Sequence, residues 1–348
     1  MKIEWNEKMK SLQPYPPIVG DYRIRLDANE SFLAPDDQWM EEMIKAVCDT
    51  AYNRYPDPYA SEVCAKFAGY YHVNPALVTA GNGSDELISV IVNTFLMKGD
   101  KALVVRPDFS MYEIYLHMAE CEYVTVDKNA DFTLDVDRLI QAAQETGCRM
   151  IMFSNPCNPT SLGIRKEEIM RIVRETQALV VVDEAYMDFW DQSVLEYAEQ
   201  SENLIVLKTC SKLLGLAAIR LGFAVACENI TTALRAAKSP YNVNTLSQAM
   251  GAIAFSDVGK IQEITRRILA SRDDLYSFCV ALSDVKQMQV LPTCTNFVTV
   301  KLPDCDRVFA QLKERSIIVR NFHSFLRITC GSAAENKELF EALCQILN

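Results

Sequence analysis

The pattern of hydrophobic and polar positions divides the chain into two regimes. From Leu77 to Leu207, short apolar runs alternate with longer amphipathic stretches. The runs are Leu77–Ala80, Ala102–Val105, Tyr123–Val126, Arg149–Phe153, Ala178–Val182 and Leu204–Leu207, and helices are predicted over Ser84–Met97, from Met111 onward and over Lys166–Thr176. Runs that are apolar on both faces belong in a buried sheet, and their alternation with helices predicts an α/β fold with a mostly parallel central sheet flanked by helices. After Pro240 the rhythm changes to helices over Thr245–Phe255 and Ile261–Leu282, a strand over Asn296–Lys301, a further helix, and brief strands around Ile317 and Leu326. That order predicts a smaller α+β domain. Up to Leu33 the chain is broken by Pro14, Pro16 and Pro17 and carries the extended stretch Arg23–Asp27, which reads as an N-terminal arm. The expected division is therefore an arm over 1–33, a large domain over 34–244 and a small domain over 245–348. With no repeat, low-complexity tract or Gly/Ser linker, the two domains should pack closely, and the cleft between them is where chemistry is expected.

Composition narrows the function classes. The 348 residues are 49% hydrophobic and 23% charged, as in ordinary globular proteins and unlike disordered ones. A formal net charge of −11 would repel a phosphodiester backbone, so nucleic acid is not an expected partner. No apolar stretch approaches the roughly 18–20 residues of a membrane span, and MKIEWNEKMK lacks the apolar core of a signal peptide, so a cytoplasmic location is expected. The twelve cysteines include no CxxC and no tight pair, and with only His72, His117 and His323 no metal site is expected.

In open α/β sheets, ligands sit beyond the carboxyl ends of the strands, and four such ends carry polar residues. Gly81-Asn-Gly-Ser-Asp-Glu86, including Gly83, is a glycine turn opening a helix, suited to a phosphate through free backbone N–H groups, although Ser84 and Asp85 could equally be a helix cap. Ser154-Asn-Pro-Cys-Asn-Pro-Thr160 is a turn fixed by two prolines, which should point Asn155 into the cleft. Val180-Val-Val-Asp-Glu-Ala-Tyr186 places Asp183 at the end of a strand apolar on both faces, where a charge needs a partner; a structural ion pair is the plain alternative to catalysis. Leu207-Lys-Thr-Cys-Ser-Lys212 brings a lysine into a hydroxyl-rich turn, with Arg220 eight residues later. Lysines are mostly surface residues, and Lys212 alone would signify little. Taken together, the four ends converge Asn, Asp, Lys and Arg on one edge of the sheet.

With these residues in view, the chain resembles the fold-type I aminotransferases, and within them the histidinol-phosphate aminotransferase family. The likeness runs through Leu26-Asp-Ala-Asn-Glu30, Arg54-Tyr-Pro-Asp57, Gly81–Glu86, Asn155–Thr160, Val182–Tyr186, Thr209-Cys-Ser-Lys212, Thr295-Asn-Phe297 and Leu326-Arg-Ile-Thr329, in matching order and spacing over nearly the whole chain. The resemblance implies pyridoxal 5'-phosphate carried covalently on Lys212. It further implies Asp183 on the pyridine nitrogen, Asn155 and Tyr186 at the ring oxygen, and Phe109 stacked on the ring. Ser84, Asp85, Thr209, Ser211 and Arg220 would surround the phosphate, and Tyr55 would reach it from the partner subunit of a homodimer. Arg327, Arg320, Tyr15 and Asn29 would meet the substrate. The chain departs from the pattern at Phe109, where tyrosine is more frequent, at Cys157, where asparagine is usual, and at Ser161 and Ala218, where glycine is usual. None of these removes a catalytic group.

The chemistry of the residues agrees with those roles. An anionic Asp183 favours a protonated pyridine nitrogen, the form that withdraws electrons, and a lysine amine can move a proton as general acid and base. The resemblance implies transfer of an amino group from a small-molecule donor to a 2-oxo acid. Histidinol phosphate is the expected donor and 2-oxoglutarate the acceptor, since Arg320 and Arg327 flank the turn Asn321–Leu326 and two guanidinium groups suit a phosphate. The competing readings are an aromatic amino acid aminotransferase, a decarboxylase or lyase such as threonine-phosphate decarboxylase, and a non-catalytic cofactor-sensing module.

Overall fold

The computed structural model describes residues 3–12, 18–283 and 286–347. In chain order the elements are β1 (Ile24–Leu26), α1 (Asp37–Asp49), α2 (Ser61–Tyr71), β2 (Val78–Gly81), α3 (Gly83–Phe95), β3 (Lys101–Arg106), α4 (Met111–Met118), β4 (Glu122–Asp127), α5 (Val136–Thr146) and β5 (Met150–Ser154). They continue with α6 (Lys166–Glu175), β6 (Leu179–Asp183), β7 (Leu204–Thr209), β8 (Gly222–Ala226), α7 (Glu228–Ala237), α8 (Thr245–Ser256) and α9 (Val258–Ser283). The chain ends in β9 (Gln289–Val290), β10 (Phe297–Lys301), α10 (Cys305–Glu314), β11 (Ile317–Asn321), β12 (Leu326–Thr329) and α11 (Ala333–Ile346).

Seven strands form the large sheet, in the order β2-β8-β7-β6-β5-β3-β4, and only β8 runs antiparallel to its neighbours. This is the expected buried, mostly parallel sheet. Successive side chains of a strand point to opposite faces, so Val180, Val182, Leu204 and Val206 join one apolar cluster while Val181, Ile205 and Leu207 join another on the other side. With both faces covered, the carboxyl ends of β5, β6 and β7 are the places where polar groups reach a cavity. Asp135 caps α5 by accepting from Arg138 N–H, and Gly147 ends it at φ 61°. At α3, by contrast, Asn82 makes no side-chain cap, so the amide groups at its start are not satisfied by that side chain.

The second sheet is five-stranded, in the order β1-β11-β12-β10-β9. Strand β1 comes from the expected arm. Ile24 and Leu26 are buried against β11, with which β1 pairs in parallel, so this stretch is built into the C-terminal sheet. Helix α8 is also shared: its Phe255 packs edge-on against Phe67 of α2 and Phe223 of β8, which ties residues beyond 245 to the large sheet. Among the described residues no helix is long and apolar enough to cross a membrane.

Candidate active site

A cavity of about 350 Å³ opens where the carboxyl ends of the large sheet meet β1, β11 and β12. Strand β6 brings Asp183 to its wall, 4% exposed. Its carboxylate accepts from Tyr112 O–H at 3.0 Å and from Ala185 N–H at 3.0 Å. Both partners are neutral, and burial pushes the carboxyl up to about 7 against these two hydrogen bonds. Strand β7 delivers Thr209, and the turn after it Ser211 and Lys212. Lys212 Nζ donates to Ala28 O at 3.0 Å and lies 5.7 Å from the centre of the Tyr186 ring.

A second lysine, Lys208, lies on β7 next to Leu207, which pairs with Asp183 of β6. The structure separates the two lysines. Lys208 alternates to the opposite side of β7 from Thr209, is 3% exposed, and is bound by Asp188 at 2.9 Å and Glu184 at 3.3 Å. Burial would pull its ammonium group down, but Asp188 and Glu184 outweigh it and hold Lys208 above the ordinary lysine value. It is a structural cation, and Lys212 is the lysine that faces the cavity.

Beside Asp183, β7 and the turn after it bring together a cradle of small polar groups. Thr209 Oγ1 donates to Ser211 Oγ at 3.0 Å, and Arg220 reaches Ser211 Oγ at 3.4 Å and Asp85 at 3.3 Å. Gly83 stands at φ 75°, and a Cβ there would lie 2.6 Å from Arg220 Nη2; at Gly222 it would lie 2.5 Å from Ser84 N. These two glycines let β8 and the start of α3 close on Arg220. Phe109 also lines the cavity and meets Tyr112 edge-on at 5.6 Å.

The part of the lining supplied by the five-stranded sheet carries three arginines. Arg320 and Arg327 face each other in register on β11 and β12, and Arg25 of β1 joins them in the lining. Arg327 donates to Asn158 Oδ1 and to Asp27 O, while Arg25 makes a forked contact with Asp27 at 3.1 and 3.4 Å and holds Ile18 O at 3.0 Å. Asn29 donates to Tyr186 Oη at 2.7 Å.

One expectation met a different arrangement. Asn155 does not line this cavity: its amide is engaged with Ile164, Nδ2 donating to O at 3.0 Å and Oδ1 accepting from N–H at 2.8 Å, and it borders a neighbouring cavity with Lys128 and Cys157. Tyr55, expected to act from the partner subunit, is 81% exposed, stacks on Tyr241 at 4.6 Å and stands outside this chain's own lining. Tyr15 falls outside the described residues. Ser161 sits at φ 64°, a left-handed conformation that accounts for glycine being usual there. No cluster of metal-ligating side chains occurs among the described residues.

The family model for aminotransferase class I and II matches residues 23–343. A histidinol-phosphate aminotransferase of Clostridium kluyveri is 37% identical over 348 residues, covering 99% of this chain and 98% of its own. The chain belongs to the aminotransferase class I and II family. The aminotransferase also superposes on solved structures, which at their lower identity speak to fold alone. A histidinol-phosphate aminotransferase of Sinorhizobium meliloti, solved with pyridoxal-5'-phosphate, gives a TM-score of 0.89 at 22% identity, covering 100% of this chain and 98% of that one. The L-threonine-O-3-phosphate decarboxylase of Porphyromonas gingivalis gives 0.80 at 21%, covering 93% and 99%. The fold is thus that of the fold-type I enzymes, and the choice of reaction rests on the site. In this aminotransferase, sequence reasoning missed Tyr112, Arg25 and Asn158. Tyr112 falls one helical turn after Phe109, which is the only hint the sequence offers; Arg25 and Asn158 become site residues only once the two sheets meet.

Proposed function

We propose that this enzyme is a pyridoxal-phosphate-dependent aminotransferase that takes L-histidinol phosphate as donor and 2-oxoglutarate as acceptor. The observation that carries the donor is the set of three guanidinium groups, Arg25, Arg320 and Arg327, which the five-stranded sheet brings to the cavity lining, whereas Arg220 comes from the large sheet. A cavity with cationic groups from both sheets suits a cofactor phosphate at one set and a donor phosphate at the other.

The residues present fit the cofactor. The cradle of Ser84, Thr209, Ser211 and Arg220 would be crowded by a Cβ at position 83, and the uncapped start of α3 adds backbone N–H groups, an arrangement suited to a phosphate. Asp183, buried and pushed up to about 7, is the group a pyridinium nitrogen would return to its charged form. Bound pyridoxal phosphate supplies an electron sink for the donor's Cα. Lys212 Nζ is the nucleophile that holds it and, when free, the base that takes the proton from that Cα. Phe109 would cover one ring face and Tyr186 would offer its hydroxyl to the ring oxygen, while Asn155, bordering the neighbouring cavity, keeps one amide hydrogen beyond the one given to Ile164 and would have to turn toward the ring to use it. Arg327 binds the donor's anionic end with Arg320 beside it. The enzyme acts as a homodimer in which Tyr55, exposed on the single chain, serves the partner's phosphate cradle.

The test is kcat/KM for histidinol phosphate, histidinol and phenylalanine in wild type and Arg320→Ala. Loss of a charge-assisted bond should cost about 1.5–3 kcal/mol for the phosphorylated donor and far less for histidinol. Equal penalties on every donor, or phenylalanine matching histidinol phosphate, would point to an aromatic aminotransferase. Carbon dioxide release without a 2-oxo acid would point to a decarboxylase.

A further inference from the structure

The hydrogens around Asn29 are fixed by its neighbours. Its backbone N–H donates to Thr329 Oγ1 at 3.1 Å, and the Thr329 hydroxyl, with one hydrogen to give, reaches Asn29 Oδ1 at 3.0 Å. The end of the amide that accepts from Thr329 is the oxygen, which leaves Nδ2 facing Tyr186 Oη at 2.7 Å. The reversed amide would put two donors on Thr329 Oγ1 and turn its hydrogen from its acceptor, at a residue only 2% exposed. A buried donor without an acceptor is costly, so the first arrangement wins.

Nδ2 can only donate, so Tyr186 Oη is the acceptor and its own hydrogen must go elsewhere. Asn296 Nδ2 holds Asn29 O at 3.2 Å, and Asn29 sits at φ 54°, a left-handed conformation that asparagine tolerates. The Tyr186 ring is fixed edge-on by Phe297, 5.3 Å away, and Phe297 pairs in register with Thr329. The C-terminal sheet therefore fixes both the ring and the hydroxyl.

We infer that Asn29, held by Thr329, is a positioning residue that turns the Tyr186 O–H into the cavity, toward an anionic oxygen. This rests on the reading that the oxygen is the cofactor's ring oxygen. A donor there stabilises the oxygen as an anion and lowers the proton affinity of the bound cofactor. An aspartate at 29 reverses one bond: its carboxylate accepts only, and draws the Tyr186 hydrogen out of the cavity.

The experiment is a pH titration of the visible absorbance of the holoenzyme in wild type, Tyr186→Phe, Asn29→Asp, Thr329→Ser and the Asn29→Asp/Tyr186→Phe double variant. Lys212, Asp183, Arg220 and Asp85 on one side, and Arg25, Asp27, Glu30, Arg320 and Arg327 on the other, face this cavity and are common to all variants. Tyr186→Phe and Asn29→Asp should each raise the midpoint by about one to two pH units, with Thr329→Ser at the wild-type value. In the double variant Asn29→Asp should add nothing, because its effect runs through the phenol. A full further shift there would mean the carboxylate acts by its charge and would overturn the inference, as would an Asn29→Asp midpoint at the wild-type value while Tyr186→Phe rises. A Tyr186→Phe midpoint at the wild-type value would instead remove the reading beneath it. Should Asn29→Asp fold poorly, Thr329→Val releases the amide to reverse and must raise the midpoint; an unmoved midpoint there also refutes the role.

Discussion

Asp183→Asn should make the cofactor-free protein more stable, by an amount that grows with pH. The carboxyl is pushed from 3.8 to about 7, chiefly by burial. In the folded protein it keeps its proton up to about pH 7, while in the unfolded chain it loses it near pH 4. The folded state thus binds more protons between these values, and its stability falls as pH rises through that window. The gap, at about 1.4 kcal/mol per pH unit, amounts to about 4 kcal/mol in total, of which about 2 kcal/mol lies between pH 5 and pH 7. Asparagine keeps Oδ1 for Ala185 N–H and presents Nδ2 to Tyr112 Oη, which can accept, and it does not titrate. The assay is urea unfolding of both apo-proteins from pH 5 to pH 8. The stability difference in favour of the variant should grow by about 2–3 kcal/mol across that range and level off above pH 7. Other buried acids, Asp108 and Glu184 among them, are present in both proteins and cancel. Parallel curves across the range would refute the reasoning, because they would mean that Asp183 already meets a cation in the empty cavity. In the loaded enzyme the same change should cost orders of magnitude in turnover, since a neutral amide cannot hold a pyridinium proton.

Three further outcomes are expected. Lys212→Ala should abolish the visible absorbance of bound cofactor and turnover while leaving the apo-protein folded; Lys208→Ala should do the reverse, losing about 3–5 kcal/mol in unfolding because Glu184 and Asp188 are left buried and unpaired. Gly83→Ala should weaken cofactor affinity at least tenfold by equilibrium titration, since its Cβ would lie 2.6 Å from Arg220 Nη2 at φ 75°, and unchanged affinity would count against the cradle. Mixed dimers of a Lys212→Ala chain with a Tyr55→Ala chain should regain turnover in one of two sites, and no recovery in verified mixed dimers would remove Tyr55 from the partner's cradle.

The large sheet was legible because parallel strands buried on both faces announce themselves as continuous apolar runs, and the polar residues that end them fall at the carboxyl edge. Asp183, Lys212 and Arg220 follow from that rule. What escaped is whatever depends on a partner remote in sequence. Strand β1 reads as three residues of an arm, and only its pairing with β11 makes it part of a sheet and puts Arg25 in the cavity. Asn155 was placed correctly on its turn, but its amide is captured by Ile164 nine residues later, an exchange of two hydrogen bonds that no pattern of hydropathy records. Lys208 and Lys212 differ by four positions, and the alternation of a strand, followed by the turn after it, decides which is structural.

The charge of the cavity also resolves a tension in the composition. A net charge of −11 argues against a nucleic-acid partner, and by the same reasoning it should repel a phosphorylated donor and a dicarboxylic acceptor. The repulsion is a property of the whole surface, screened beyond about 8–10 Å at physiological salt, whereas binding depends on the groups that touch the ligand. In the lining, Arg25 is matched by Asp27 and Arg220 by Asp85. Asp183 carries little charge below about pH 7 because burial holds its proton. Among the described lining residues, Glu30 then stands beside Lys212, Arg320 and Arg327, so the described lining carries more basic than acidic side chains within an anionic protein. Arg327 links that local charge to the architecture, because it donates both to Asn158 beyond β5 and to Asp27 O at the end of β1. An anion bound there shares a guanidinium that already joins the two sheets, and so its affinity depends on how the sheets are seated as well as on charge. Adding salt should therefore weaken the surface repulsion and leave the contacts in the cavity largely intact, so KM for an anionic donor should rise far less steeply with ionic strength than it would on an open basic surface.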